Sequence, residues 1–125
     1  MSTSPDLGLP FIAAGQAQPE VTYAEALIRL QALVMGAVDL GVNTPPASPT
    51  AGDVYVLGTV PTGDWDGKAN KVAIYYGGSW RFVPDVDSDG VDIPMGLRHE
   101  GLSIFVRGSL NLLMVWNGST WAPVA

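Results

Sequence analysis

The run Asp85-Val-Asp-Ser-Asp-Gly90, with Asp92 after it, sets oxygen donors at alternate positions ahead of a glycine. The first half of a calcium loop is built this way, with oxygens around the ion and glycine at the sharp turn. Asp85, Asp87 and Asp89 are therefore the calcium candidates. The second half does not follow, because the bidentate Glu of such a loop is replaced by Gly96. A solvated acidic loop is the expectation, with no resident metal or cofactor. His99 is the sole histidine and cysteine is absent, which excludes thiol catalysis, Cys-ligated zinc and disulfide frameworks. His99 stands between Arg98 and Glu100 at an expected turn and reads as a surface residue. No serine sits in a Gly-x-Ser-x-Gly elbow, and no glycine turn carries the Lys-Ser or Lys-Thr of a phosphate loop. A paired-carboxylate glycosidase needs a cleft that so small a domain has little room for. No catalytic residue is assigned, and an enzyme is not expected. The aromatic residues Trp65, Tyr75, Tyr76, Trp80, Phe82, Trp116 and Trp121 could stack on sugars. Trp65 and Tyr76 are the candidate glycan contacts, provided they are exposed side by side. Trp80 and Trp121 occupy equivalent places and are expected to anchor hairpins.

These residues have to be placed by a few elements. Thr22-Tyr-Ala-Glu25 has the form of a capping box, in which each side chain reaches the other's backbone N–H. Apolar residues at Ala26, Leu27, Leu30, Leu33, Val34, Met35 and Val38 predict a helix over 23–39, with Gly41 as its stop. Within it only Glu25, Arg29, Gln31 and Asp39 are polar, so burial on more than one side is expected. Residues 1–21 show no period and are broken by Pro5, Gly8, Pro10, Gly15 and Pro19. They read as an extended arm that lies on its own domain or reaches a neighbouring subunit. Residues 22–41 make the helical segment, 42–52 a proline-rich linker and 53–125 a β domain. Strands are expected over 54–57, 71–76, 80–83, 102–106, 110–116 and 120–124. An internal repeat groups the six into two strand-plus-hairpin units: Tyr76-Gly-Gly-Ser-Trp80 echoes Trp116-Asn-Gly-Ser-Thr-Trp121, with a strand carrying Tyr55 before the first and one carrying Phe105 before the second. The fold class is mainly β with one N-terminal helix, its strands forming a small antiparallel sheet or open barrel of about six strands from two hairpin repeats.

Composition narrows the partners. The chain has 125 residues, enough for one domain with an arm. Charged residues are 14% and hydrophobic residues 47%. Against a usual charged share of roughly 25%, that implies apolar surface reserved for a partner subunit. The net charge of −6 argues against nucleic acid and against an anionic membrane surface. No apolar run reaches the roughly 18–20 residues of a membrane span. No Lys or Arg precedes Arg29, so a secretory leader is not expected, and the chain is placed in the cytosol or in something assembled there.

The order of segments adds a resemblance. Leu9-Pro-Phe-Ile12, Gly15-Gln-Ala-Gln18, Glu20-Val-Thr22 and Glu25-Ala-Leu27 are followed by Pro45-Pro-Ala-Ser-Pro49, Gly52-Asp53 and Thr62-Gly-Asp-Trp65. Over nearly the whole chain this resembles a domain family of uncharacterised function from alphaproteobacterial phages, prophages and gene transfer agents. Pro19 stands where that family usually has Lys, and Tyr23-Ala24 replaces its apolar–Asn pair. The resemblance implies a virion structural protein and transfers no catalytic residue. The expected role is a small accessory (decoration or cement) protein on the capsid exterior, bound through arm and helix. The alternatives are a base or adaptor of a tail or head fibre and, from another class, a carbohydrate-binding module for host surface polysaccharide. With nothing after Ala125, a receptor-binding tip is not expected. The interaction residues are then Leu9, Pro10, Phe11, Ile12, Gln16, Gln18 and Val21 of the arm, and Leu27, Leu30 and Val34 of the helix. The expected partners are copies of itself, as a homotrimer, and the major capsid protein or other virion proteins. The expected location is the capsid surface or tail fibre, and the host cytoplasm during assembly.

Overall fold

The structure is a computed structural model that describes residues 3–12, 14–107 and 110–123. Parts of the turn expected at 107–109 and of the last strand at Val124 lie outside the described residues. One helix, α1 (Pro19–Met35), precedes seven strands: β1 (Asp39–Val42), β2 (Val54–Leu57), β3 (Val72–Tyr76), β4 (Ser79–Val83), β5 (Ser103–Val106), β6 (Leu112–Trp116) and β7 (Trp121–Pro123). Short 3-10 turns at Gly63–Trp65 and Leu97–His99 lie between strands. The protein is thus mainly β with one N-terminal helix. Its strands form two sheets, ordered β1-β2-β3-β4 and β5-β6-β7, rather than the expected single sheet or barrel.

The helix begins four residues before its expected start. Pro19 occupies the first turn, where its missing N–H costs nothing and its fixed φ is already helical. Gln18 turns the chain into it with φ 53°. Thr22 is therefore inside the helix, where its hydroxyl accepts from Gln16 Nε2, and the capping box does not form. The helix also stops early, at Gly36 (φ 90°), whose N–H donates to Ala32 O at 3.2 Å. A Cβ on Gly36 would lie 2.5 Å from the Phe105 carbonyl oxygen, so the backbone of β5 passes too close for any side chain.

The next residues join the two sheets. Ala37 N donates to Phe105 O at 2.8 Å, and Arg107 N donates to Ala37 O at 2.8 Å. Val38 N then donates to Val54 O at 2.7 Å, and β1 continues parallel to β2. A segment expected to be helix end and linker is in fact a seam between sheets, and β1 breaks the expected antiparallel pattern.

Both halves of the sequence repeat fold as three-stranded meanders. In the first, Gly77 and Gly78 take φ 62° and 85° between the paired Tyr76 and Ser79, a two-residue turn that matches strand twist. In the second, Asn117 Oδ1 accepts the N–H groups of Ser119 and Thr120 at 3.0 and 2.9 Å, closing a longer turn between Trp116 and Trp121.

Register divides the first sheet into two faces. Val54, Val56, Val72, Ile74 and Val83 lie on one face and are fully buried beneath α1, in a cluster with Ala32, Ala37 and Ile104. Burying each such side chain contributes about 1.5–3 kcal/mol. The other face carries Tyr55, Ala73, Tyr75, Trp80 and Phe82. Trp65 closes over it, with ring centroids 5.0 Å from Trp80 and 5.7 Å from Tyr55. Trp80 and Trp121 hold equivalent sequence places yet do different work. Trp80 joins the aromatic face, whereas Trp121 packs on the main core and donates its Nε1 hydrogen to Asn70 O at 2.9 Å.

Candidate interaction surface

The arm does not extend freely over its first third. Thr3 and Pro10 pair, Ser4 N donates to Leu9 O at 2.7 Å, and Gly8 N donates to Ser4 O at 3.0 Å. This small return loop is fastened to its own domain. Asp85 N donates to Leu7 O at 2.8 Å, Arg98 Nε donates to the Asp6 carboxylate at 2.7 Å, and Leu7 packs on the core. Gly8 has φ 70°, and a Cβ there would lie 2.4 Å from Val86 O. Leu9 and Pro10 are half-buried as a result, and of the expected apolar contact residues before the helix Phe11 (48%) and Ile12 (51%) stay exposed. Gln16 and Gln18 serve the start of the helix, and Val21 is an exposed helical residue rather than part of an extended arm.

The helix buries only one side in this chain. Ile28, Arg29, Ala32 and Leu33 face the body. Leu27 (46%), Leu30 (41%) and Val34 (81%) face outward and, with Gln31 and Met35, line a shallow groove of about 610 Å³. Exposed Tyr23 extends the same face. The exposed pair Phe105–Leu113, directly opposed in β5 and β6, begins beside Gly36 at the other end.

What turns this face outward is an ionic lock on the inner side. Arg29 is buried, and its Nη2 donates to Asp85 Oδ2 at 2.7 Å. Its Nε donates to Phe82 O at 3.2 Å and its Nη1 to Glu25 Oε1 at 3.0 Å. Glu25 also receives Arg81 Nη2 at 2.8 Å. The hydrogen bond from Arg81, with Arg29 adding to it, outweighs burial and holds the Glu25 carboxyl below its ordinary value. Glu25, expected to cap the helix, instead ties it to β4.

The acidic loop is less solvated than expected. Asp85 is taken by Arg29, and Asp87 Oδ1 accepts the N–H groups of Asp89 and Val91 at 2.9 and 3.0 Å. Asp92 accepts from Lys71 at 2.7 Å and Lys68 at 3.1 Å. Burial opposes ionisation of Asp92, but the two lysines prevail and its carboxyl sits below the usual range. Lys71 is fully buried, and desolvation pushes its ammonium down despite Asp92. Among the described residues, no group of three or more His, Cys, Asp or Glu is placed to hold a metal ion.

His99 is buried rather than superficial. Its Nδ1 accepts Gly96 N–H at 3.2 Å, and its Nε2 hydrogen donates to Asp6 O at 2.6 Å. Both partners are backbone groups of fixed role, so the ring is held as the neutral Nε2 tautomer and pins the arm.

Trp65 is fully buried, so it presents no face to a sugar, and Tyr76 lies instead beside the Arg81 guanidinium, 5.6 Å from its ring centre. The concave aromatic feature lies elsewhere. Pro45, Pro46 and Pro49 of the linker, with Asp64, Tyr75, Trp80 and Phe82, line a cleft of about 440 Å³. Sequence reading passed over this cleft, although the alternation of Tyr75, Trp80 and Phe82 across a Gly-Gly turn places them on one face. It also passed over the burial of Arg29 and Lys71, for which no local signal exists.

Among the described residues, no helix is long and apolar enough to cross a membrane. No curated protein and no solved structure matches the chain. A family model does match, over residues 23–91, from Tyr23 within α1 through the whole first sheet, leaving out the arm, the first turn of α1 and the second sheet. With more than half of its length matched, the chain belongs to the DUF2793 family, a family of proteins of unknown function.

Proposed function

We propose that this chain is a structural protein of a phage particle, an accessory subunit attached to the capsid exterior through the tip of its arm and its helix. The observation that carries the reading is the placement of Phe11 and Ile12. They stand exposed at the end of a segment whose root is pinned by Asp6, Leu7 and His99. A pinned root with an apolar tip presents a ready contact to a second surface, with little ordering left to be done on binding. The resemblance of the arm and helix segments to phage and gene-transfer-agent domains supports the same reading. The test is a Phe11→Ser, Ile12→Ser double variant in particles assembled with the wild-type remaining proteins. Both side chains are exposed, so the fold is retained and incorporation is lost. Normal incorporation refutes attachment by the arm. Separating heads from tails before detection distinguishes capsid decoration from a fibre base.

The cleft beneath the linker favours a second reading, a carbohydrate contact at Tyr75, Trp80 and Asp64 in place of Trp65 and Tyr76. Aromatic rings suit apolar sugar faces, and a carboxylate suits sugar hydroxyls. Affinity electrophoresis in gels cast with host surface polysaccharide tests it. Retardation that Asp64→Ala abolishes supports it, and unchanged mobility removes it.

A further inference from the structure

We infer that the cleft under the linker selects a cationic sugar, one that carries an ammonium group, through Asp64 and the corner formed by Tyr75 and Trp80. This rests on the carbohydrate reading of the cleft and narrows it to one class of sugar. The volume of about 440 Å³ falls within the range of small-molecule sites, roughly 300–1,000 Å³.

Shape and charge both favour the cation. Tyr75 and Trp80 are directly opposed in β3 and β4 and half-buried, and their rings meet edge to face at 63° with centroids 5.1 Å apart. Two ring surfaces at that angle make a corner rather than a flat platform. A corner suits a compact ammonium, which is drawn to the electron-rich faces of aromatic rings. Phe82, the third ring of the lining, already has one cation over it: Lys68 Nζ lies 5.3 Å from its centre. Asp64 is set beside these rings by its neighbour Trp65, which is buried against Trp80. Among the described residues, Asp64 is the one charged side chain lining the cleft, and its carboxylate has no hydrogen-bond or ion-pair partner. Arg29, Lys68, Lys71, Arg81 and Arg98 are all paired with other carboxylates. The surrounding field has the same sign as Asp64. Tyr55, on this face of the sheet, has its phenol pushed above the ordinary value, first by burial and then by the charges of Asp53 and Asp39. A neutral sugar leaves the Asp64 charge without a partner, whereas an ammonium sugar meets the rings and the carboxylate together.

Two tetrasaccharides with the same β-1,4 backbone test this, one of glucosamine and one of glucose. They differ in bearing an ammonium or a hydroxyl at each C2. Titration calorimetry of the full chain at about pH 6 keeps the sugar amines protonated. The glucosamine tetramer is expected to bind about tenfold more tightly, a factor within reach of a cation–π contact beside a carboxylate. Asp64→Asn keeps the size of the side chain and removes its charge. Asp64 is exposed, so the far-UV spectrum is unchanged, and the glucosamine tetramer is expected to fall to the level of the glucose tetramer. Equal binding of the two sugars by the wild type overturns the inference. So does a preference that Asp64→Asn leaves whole, which marks a general attraction to an acidic chain. Both outcomes leave the carbohydrate reading standing. Binding of neither sugar overturns the inference as well, and retardation by host polysaccharide then decides the wider reading.

Discussion

At the residue scale, ion pairs give this low-charge protein much of its definition. Glu25 and Asp92 both have carboxyls held below their ordinary values of 4.5 and 3.8. Each favours folding above the unfolded value. As pH falls through that value the unfolded chain takes up protons first, and the contribution is lost toward the depressed folded value. Urea unfolding is therefore expected to show stability falling as pH drops below 4.5, and Glu25→Gln is expected to shrink that fall. Lys71 works in the opposite sense: burial lowers its value from 10.5, so the unfolded chain holds the proton more tightly. Stability should then rise as pH climbs toward 10.5, and Lys71→Met should abolish the rise. Removing Arg29 leaves Asp85 without its partner and exposes Phe82 O. Arg29→Met is expected to cost about 2–4 kcal/mol in urea unfolding at neutral pH.

At the scale of elements, close backbone approach and register decide boundaries that propensity does not. Gly36 ends α1 because its φ is 90° and Phe105 O fills the space of a side chain. Gly36→Ala is expected to destabilise by about 2–3 kcal/mol, through strain and the displaced Ala37–Val106 pairing. A thermal melt checks this, with Gly15→Ala as a control for the positive φ alone, since Gly15 has φ 74° and nothing crowds a Cβ there. The two meanders show how a repeated motif diverges. A two-residue turn pairs Trp80 with Tyr75, and a longer turn pairs Trp121 with Trp116. The second Trp consequently reaches Asn70 in the first sheet. Trp121→Phe keeps most of the packing and loses that hydrogen bond, so a cost of about 1 kcal/mol is expected.

At the scale of the molecule, one side of a single helix and the tip of an arm remain uncovered. Much of this architecture was legible beforehand. Alternation marked β2 to β7 because side chains of a strand point to opposite faces, and the Gly-Gly and Asn-Gly turns marked both hairpins. A helix was evident from its apolar period, as was the uneven balance between its apolar and charged residues. Those are local properties, set by neighbours a few residues apart. Tertiary structure alone decided the rest: the early stop at Gly36, the parallel β1, the division into two sheets, the burial of Arg29, Lys71, His99 and Trp65, and the arm folded back on its own domain. Each of these depends on groups far apart in sequence, such as Arg29 with Asp85 or Gly36 with Phe105. Their energies exist only once the chain has closed, so no local pattern of residues announces them.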